Sequence, residues 1–138
     1  MKVYKINEYN KPLVFEESWE YGSVSAVIHY DISYVMNYLD KYDISSGQID
    51  ELKRVMDFPV SILKNINVFD EYRNQGNGNS IYFEYEEFAM DNGALTSILV
   101  VDVYESQNEG FVLSDWYESL GYTSLGKLGD LILMYKFL

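Results

Sequence analysis

The run TSILVVDVY, residues 96 to 104, is a nearly unbroken apolar strand from Ile98 on, interrupted only at Asp102, whereas a strand with one wet face would alternate. Such a strand needs cover on both faces, which places it in the central sheet of an α/β domain with helices packed against it. The segment before it supplies part of that cover. In SIYFEYEEFAMDNG, Ile81, Tyr85, Phe88 and Ala89 recur at helical spacing, and Asn92 and Gly93 end the helix. Further upstream, FPVSILKNINVF reads as another strand. Strand, helix and strand in this order form a right-handed crossover, which joins parallel neighbours. The expectation is that residues 60–69 and 96–104 lie side by side, with a helix from about 78 to 91 between them in the chain.

The flanks extend the sheet. Residues 2–6, 13–16 and 23–30 read as strands, since KVYKI and SVSAVIHY alternate or run apolar with β-branched residues, and YGS breaks the second from the third. Tyr34, Val35, Tyr38, Leu39 and Tyr42 then follow helical spacing. Ser45 with Gln48 forms a capping box ahead of a second helix carrying Ile49, Leu52 and Met56. After the apolar strand, residues from roughly 110 to 120 place Leu113, Trp116, Tyr117 and Leu120 on one helical stripe that stops at Gly121. Two strands, YTSLGK and LILMYKFL, close the chain around a turn at Gly129 and Asp130. At 138 residues, 48% of them hydrophobic, the chain fits one domain with a core large enough to fold alone.

Composition removes whole classes of chemistry. Without cysteine there is no disulfide, thiolate metal site or cysteine nucleophile, and one histidine makes no imidazole cluster. We therefore expect no metal. The 22 acidic and 10 basic residues give a formal net charge of -12, which repels nucleic acid and anionic membranes. Cationic partners such as amines or basic peptides suit that charge, and so does a solvated surface with no partner. MKVYKINEYN lacks a signal-peptide core, and no run approaches the roughly 20 apolar residues of a spanning helix. The reading is a soluble, cytoplasmic protein.

The loop between the first crossover strand and its helix is RNQGNG, residues 73 to 78. Amides from Gln75 to Ser80 fall where a helix has no internal acceptors and where its dipole is positive, so an anion such as a diphosphate suits the spot. Gly76 and Gly78 permit positive φ and close backbone approach, and Arg73 puts a cation at the rim. The pattern matches neither the dinucleotide fingerprint nor the P-loop. An ordinary strand-to-helix loop would also account for it.

About forty residues on comes DWYESLGY. With that spacing, residues 58–138 resemble the GNAT superfamily of acetyl-coenzyme A dependent N-acetyltransferases. The resemblance implies a single-domain α/β fold with a central mixed sheet, in which the strands at 60–69 and 96–104 splay apart around the pantetheine arm of acetyl-CoA. It implies backbone contacts to pantetheine from Ile66 and Val68. It implies pyrophosphate amides from Gln75, Gly76, Asn77, Gly78 and Asn79 near Arg73, and Tyr117 as the proton donor to the departing thiolate. A phenol there makes chemical sense, because amine attack on a thioester expels a thiolate.

The sequence also departs from the family. The usual asparagine and alanine ahead of the tyrosine are Gly110 and Leu113 here, so Asn108 becomes the candidate for the asparagine contact. The first 57 residues put strands before helices, whereas the family usually runs strand, two helices, then hairpin. No acidic residue lies in 60–69, where the family often keeps a general base, which leaves Glu71, Asp102 or Glu105 acting through water. An α-amine, with a pKa near 7.7 to 8.0, needs less help than a lysine side chain near 10.4, so a small-molecule or peptide α-amine acceptor is favoured. A homodimer is compatible with the fold. Tyr117 and His29 each have a plainer reading as packed residues, and EYEE, 84 to 87, as a solvated helix face. The competing reading of the whole is an acidic, non-catalytic protein of this fold that binds the cofactor or a basic partner without turnover.

Overall fold

The computed structural model describes residues 2–5, 12–42, 44–102, 112–128 and 130–138. Among these residues seven strands form one sheet: β1 (Lys2–Lys5), β2 (Leu13–Trp19), β3 (Gly22–His29), β4 (Val60–Val68), β5 (Thr96–Asp102), β6 (Thr123–Leu128) and β7 (Leu131–Phe137). Their order across the sheet is β1-β2-β3-β4-β5-β7-β6. Among the described residues only β4 and β5 pair in parallel, joined by α3 (Asn77–Asp91) as the crossover, and the other neighbours are antiparallel. The sheet is therefore mixed, as expected.

Helices α1 (Ile32–Leu39) and α2 (Ser46–Val55) lie between β3 and β4 in the chain, so strands do precede helices in this half. Local chemistry starts each of them. Asp31 accepts from the Ser33 N–H at 2.9 Å, and Ser45 accepts from the Gln48 N–H at 3.3 Å. The capping box is half made: Gln48 Nε2 turns away to the Leu125 carbonyl of β6 at 3.5 Å, tying α2 to the sheet's far edge. α1 and α2 cover one face through Val35, Leu39, Leu52 and Met56, packed on Val27, Val60, Ile62, Ile98 and Leu133. α3 and α4 (Leu113–Ser119) cover the other through Ile81, Tyr82, Tyr85, Phe88 and Tyr117, packed on Phe15, Ala26, Leu63, Leu99 and Met134. Adjacent β5 residues Ile98 and Leu99 thus enter opposite cores, which is why that strand has no polar alternation.

Several sequence expectations need adjustment. Gly22 belongs to β3 rather than to a break, since it pairs with Trp19 and Val68, and a side chain is excluded there because a Cβ would lie 2.2 Å from the Asn67 carbonyl oxygen. β2 runs on to Trp19, and α1 stops at Leu39, short of Tyr42. Tyr82 joins the buried stripe of α3, which is wider than the spacing of Ile81, Tyr85, Phe88 and Ala89 implied. In the run 84–87, Tyr85 is fully buried, and Glu86 pairs with Lys136 Nζ at 2.9 Å, so only Glu84 and Glu87 form a wet face. Gly129 lies outside the described residues.

Candidate functional site

β4 and β5 keep register only over Val60↔Thr96, Ser61↔Ser97 and Ile62↔Ile98. β4 then continues to Val68 alongside β3, and β5 to Asp102 alongside β7, so a fork opens between them. An extra residue in β4 accompanies the parting: Ser25 pairs with Asn65 and Ala26 with Leu63, leaving Lys64 bulged. Which backbone groups face the fork follows from strand alternation. The Phe69 N–H donates to the Tyr21 carbonyl at 2.9 Å and so points toward β3. Ile66 and Val68, in alternate positions, turn their N–H and C=O the other way, into the fork. These are the two residues to which the resemblance assigns backbone contacts to pantetheine. The Val68 carbonyl is already used, accepting from Arg73 Nε at 3.0 Å.

The loop from the end of β4 into α3 is held by its own side chains. Asn77 Nδ2 donates to the Tyr72 carbonyl at 2.8 Å, Gln75 Nε2 to the Glu71 carbonyl at 3.3 Å, and the Tyr72 hydroxyl to Glu20 Oε1 at 3.0 Å. Two residues take left-handed backbone, Asn74 at φ 62° and Gly76 at φ 79°. Gly78 does not; it lies in the first turn of α3, and positive φ falls at Asn74 instead of there. The Ser80 N–H bonds the Gly76 carbonyl at 3.2 Å and so leaves the expected group of free amides, and Gln75 and Gly76 precede the helix. Those without an intrahelical acceptor are Asn77, Gly78 and Asn79. Gly76 as N-cap adds no side-chain acceptor for them, which leaves an anion room to serve.

Arg73 lies at this rim, and its Nη1 pairs with Asp70 Oδ1 at 3.2 Å across an exposed surface. An exposed pair of this kind is weak, so the guanidinium can exchange partners at little cost. Glu71 is exposed nearby, and Asp102 is half-buried at the end of β5. Asn108, Glu105 and Gly110 lie outside the described residues.

Tyr117 is buried, at 6% exposure, on α4. Its ring stands edge-on to Tyr122 at 5.6 Å and tilted to Trp116 at 4.9 Å. Burial first, and the neighbouring Tyr85 second, hold its phenol above the ordinary tyrosine value. The group therefore stays protonated at neutral pH and keeps a proton it could donate. Trp116 links the two helices: its Nε1 donates to Asn79 Oδ1 at 2.8 Å, and its ring lies over Gly78. By its helical spacing Trp116 reads as one of the apolar stripe, and nothing in that spacing points to this contact. His29 is remote from the loop, buried on the α1 face and stacked on Tyr34 at 5.6 Å. Burial, with Lys64 nearby, lowers its pKa to about 4, so it is neutral at pH 7. Among the described residues no His, Cys, Asp and Glu group could hold a metal ion, and no helix is long and apolar enough to cross a membrane.

No protein-family profile matches the chain, and no curated protein matches it. Solved structures do. An acetyltransferase from Bacillus cereus ATCC 14579 is similar with TM-score 0.59 and 14% identity, over 93% of this chain and 74% of that one. PaiA N-acetyltransferase from Thermoplasma acidophilum, in complex with coenzyme A, is similar with TM-score 0.52 and 16% identity, over 92% of this chain. A GNAT-family acetyltransferase from Listeria monocytogenes 4b F2365 is similar with TM-score 0.52 and 17% identity, again over 92% of this chain. The match spans only 60% of the PaiA chain and 64% of the Listeria chain. What these structures share with the chain is its architecture, and that architecture is the GNAT acetyltransferase fold.

Proposed function

We propose that the chain is an acetyl-CoA dependent N-acyltransferase that joins an amine acceptor to the acyl group by direct attack in a ternary complex. The observation that carries this reading is the fork, with Ile66 and Val68 facing into it and the unsatisfied amides of Asn77, Gly78 and Asn79 following at the start of α3. In this reading the pantetheine arm lies along the β4 edge as a short extra strand, and the pyrophosphate meets those amides with Arg73 at the rim. The neutral amine forms a C–N bond to the thioester carbonyl carbon, the C–S bond breaks, and the Tyr117 hydroxyl donates to the leaving sulfur. The amine's surplus proton leaves through water to a carboxylate, Asp102 or Glu71. Most of the rate comes from holding amine and thioester together and from donors aimed at the carbonyl oxygen. A small-molecule or peptide α-amine suits a site without a carboxylate on β4, since part of it is already neutral at pH 7.

The test is calorimetric titration with acetyl-CoA, then thiol release with a panel of α-amines and lysine-type amines. Binding and release are expected for the parent. Gly76→Asp and Gly78→Asp are expected to abolish binding; Gly78→Asp should keep the fold, since the nearest contact of its Cβ is Trp116 at 3.5 Å, whereas Gly76→Asp adds backbone strain at φ 79° although no atom crowds its Cβ, so a thermal melt accompanies its titration. Parent-like binding by both variants would rule out the amide cradle. A second reading, cofactor binding without turnover, is favoured by the depth at which Tyr117 is buried and by the engagement of Arg73 with Asp70 and Val68. Binding without thiol release for any amine would select it.

A further inference from the structure

Where β4 and β5 part, five hydroxyls form a chain inside the core. The Tyr85 hydroxyl, from α3, lies 2.7 Å from Ser61 Oγ on β4 and 2.7 Å from Ser97 Oγ on β5. Ser61 and Ser97 face each other in the parallel ladder, one pair before it ends. Ser97 Oγ is also 2.6 Å from the Tyr122 hydroxyl, which accepts from the Tyr82 hydroxyl at 3.1 Å. Four of these residues are 0% exposed and Tyr122 is 4% exposed.

Stability alone does not call for this chain. Buried hydroxyls gain little net over well-packed apolar groups and cost free energy whenever one loses its partner. Phenylalanine and alanine would fill the same space. Hydrogen bonds, however, fix distance and rotation in a way that rings in contact do not. Past Ile62 and Ile98, β4 and β5 share no paired residues, so their divergence is governed by what grips the last pairs. Tyr85 grips both strands from a helix whose first turn holds the free amides. Through Ser97 the chain reaches Tyr122, just after the helix that carries Tyr117.

We propose that Tyr85, Ser61, Ser97 and Tyr122 form a positioning network that sets the opening of the β4–β5 fork, and thereby the spacing between the amide loop, the β4 edge and Tyr117. The fork's meaning as a cofactor cleft rests on the function proposed above. None of the four touches substrate; each acts through the strands and helices it joins.

Tyr85→Phe and Ser97→Ala test this, with Tyr38→Phe as the control. Tyr38 also has a hydroxyl neighbour, Tyr42 at 3.3 Å, but it packs on the opposite face, away from the chain. Segment-resolved amide exchange of the ligand-free protein and calorimetric titration with acetyl-CoA are read together. Both variants are expected to speed exchange in 60–63 and 96–99 by about tenfold, leave β2 and β3 unchanged, and weaken acetyl-CoA binding by about tenfold. The control should do neither. Acceleration spread evenly over all segments, or local acceleration with unchanged affinity, would overturn the proposal. If the parent itself does not bind acetyl-CoA, the functional reading fails. The exchange pattern then decides alone: local change supports fork-setting, and uniform change overturns it.

Discussion

Tyr117 and His29 are both buried, and their surroundings assign them different behaviour. Around Tyr117 the ring contacts with Tyr122 and Trp116 survive removal of the oxygen. Tyr117→Phe should therefore change stability by no more than about one hydrogen bond, on the order of 1 kcal/mol, and leave acetyl-CoA affinity nearly unchanged. Turnover should fall by roughly 100-fold or more if the phenol is the donor. Steady-state thiol release beside a urea melt decides, and unchanged turnover would return Tyr117 to a packing role. His29 makes a prediction about pH. Its folded pKa of about 4 lies below the ordinary 6.5, so the unfolded chain binds more protons between those values. Stability then falls as pH drops from 6.5 toward 4, because the unfolded chain takes up the proton first. His29→Phe keeps the stack on Tyr34 and removes the titration, so its urea midpoints should fall less steeply over that interval. Parallel pH profiles for parent and variant would show that His29 charges freely in the folded state.

At the level of elements, α4 and the first turn of α3 are joined by the bond from Trp116 Nε1 to Asn79 Oδ1. Trp116→Phe removes this donor and keeps an aromatic against Tyr82 and Tyr117. A loss of about 1 kcal/mol and a several-fold weaker acetyl-CoA affinity are expected, because Asn79 carries one of the free amides. Calorimetry with a thermal melt checks it; lowered stability with unchanged affinity would make Trp116 a packing residue only. This contact also marks where sequence reading stopped. The β4–α3–β5 crossover was legible because the unbroken apolar run at 98–101 and the helical stripe at 81–89 each carry their own signal. Which residue of RNQGNG takes left-handed backbone was not, since Asn and Gly both tolerate it: Asn74 took the place assigned to Gly78. The hydroxyl chain was invisible for another reason. Ser61 and Ser97 read as ordinary strand residues until pairing set them opposite each other under Tyr85.

At the scale of the whole molecule, charge and site oppose one another. A formal net charge of -12 repels an anionic cofactor from every direction, whereas Arg73 and the free amides of α3 attract its phosphates locally. Ionic strength separates the two by range. At 0.01 M salt the Debye length is about 30 Å, so the cofactor feels nearly the whole acidic chain; at 0.15 M it is about 8 Å, and only nearby groups count. Acetyl-CoA affinity should therefore strengthen from about 0.01 to 0.15 M salt, then weaken toward 1 M as a Debye length near 3 Å screens the local attraction too. A cationic amine should show the opposite trend over the first interval, weakening as the acidic surface is screened. Titrations of both ligands at the three salt concentrations test this. If acetyl-CoA affinity falls steadily from the lowest salt upward, local attraction dominates at all ranges, and the net charge has no part in selecting an amine over other acceptors.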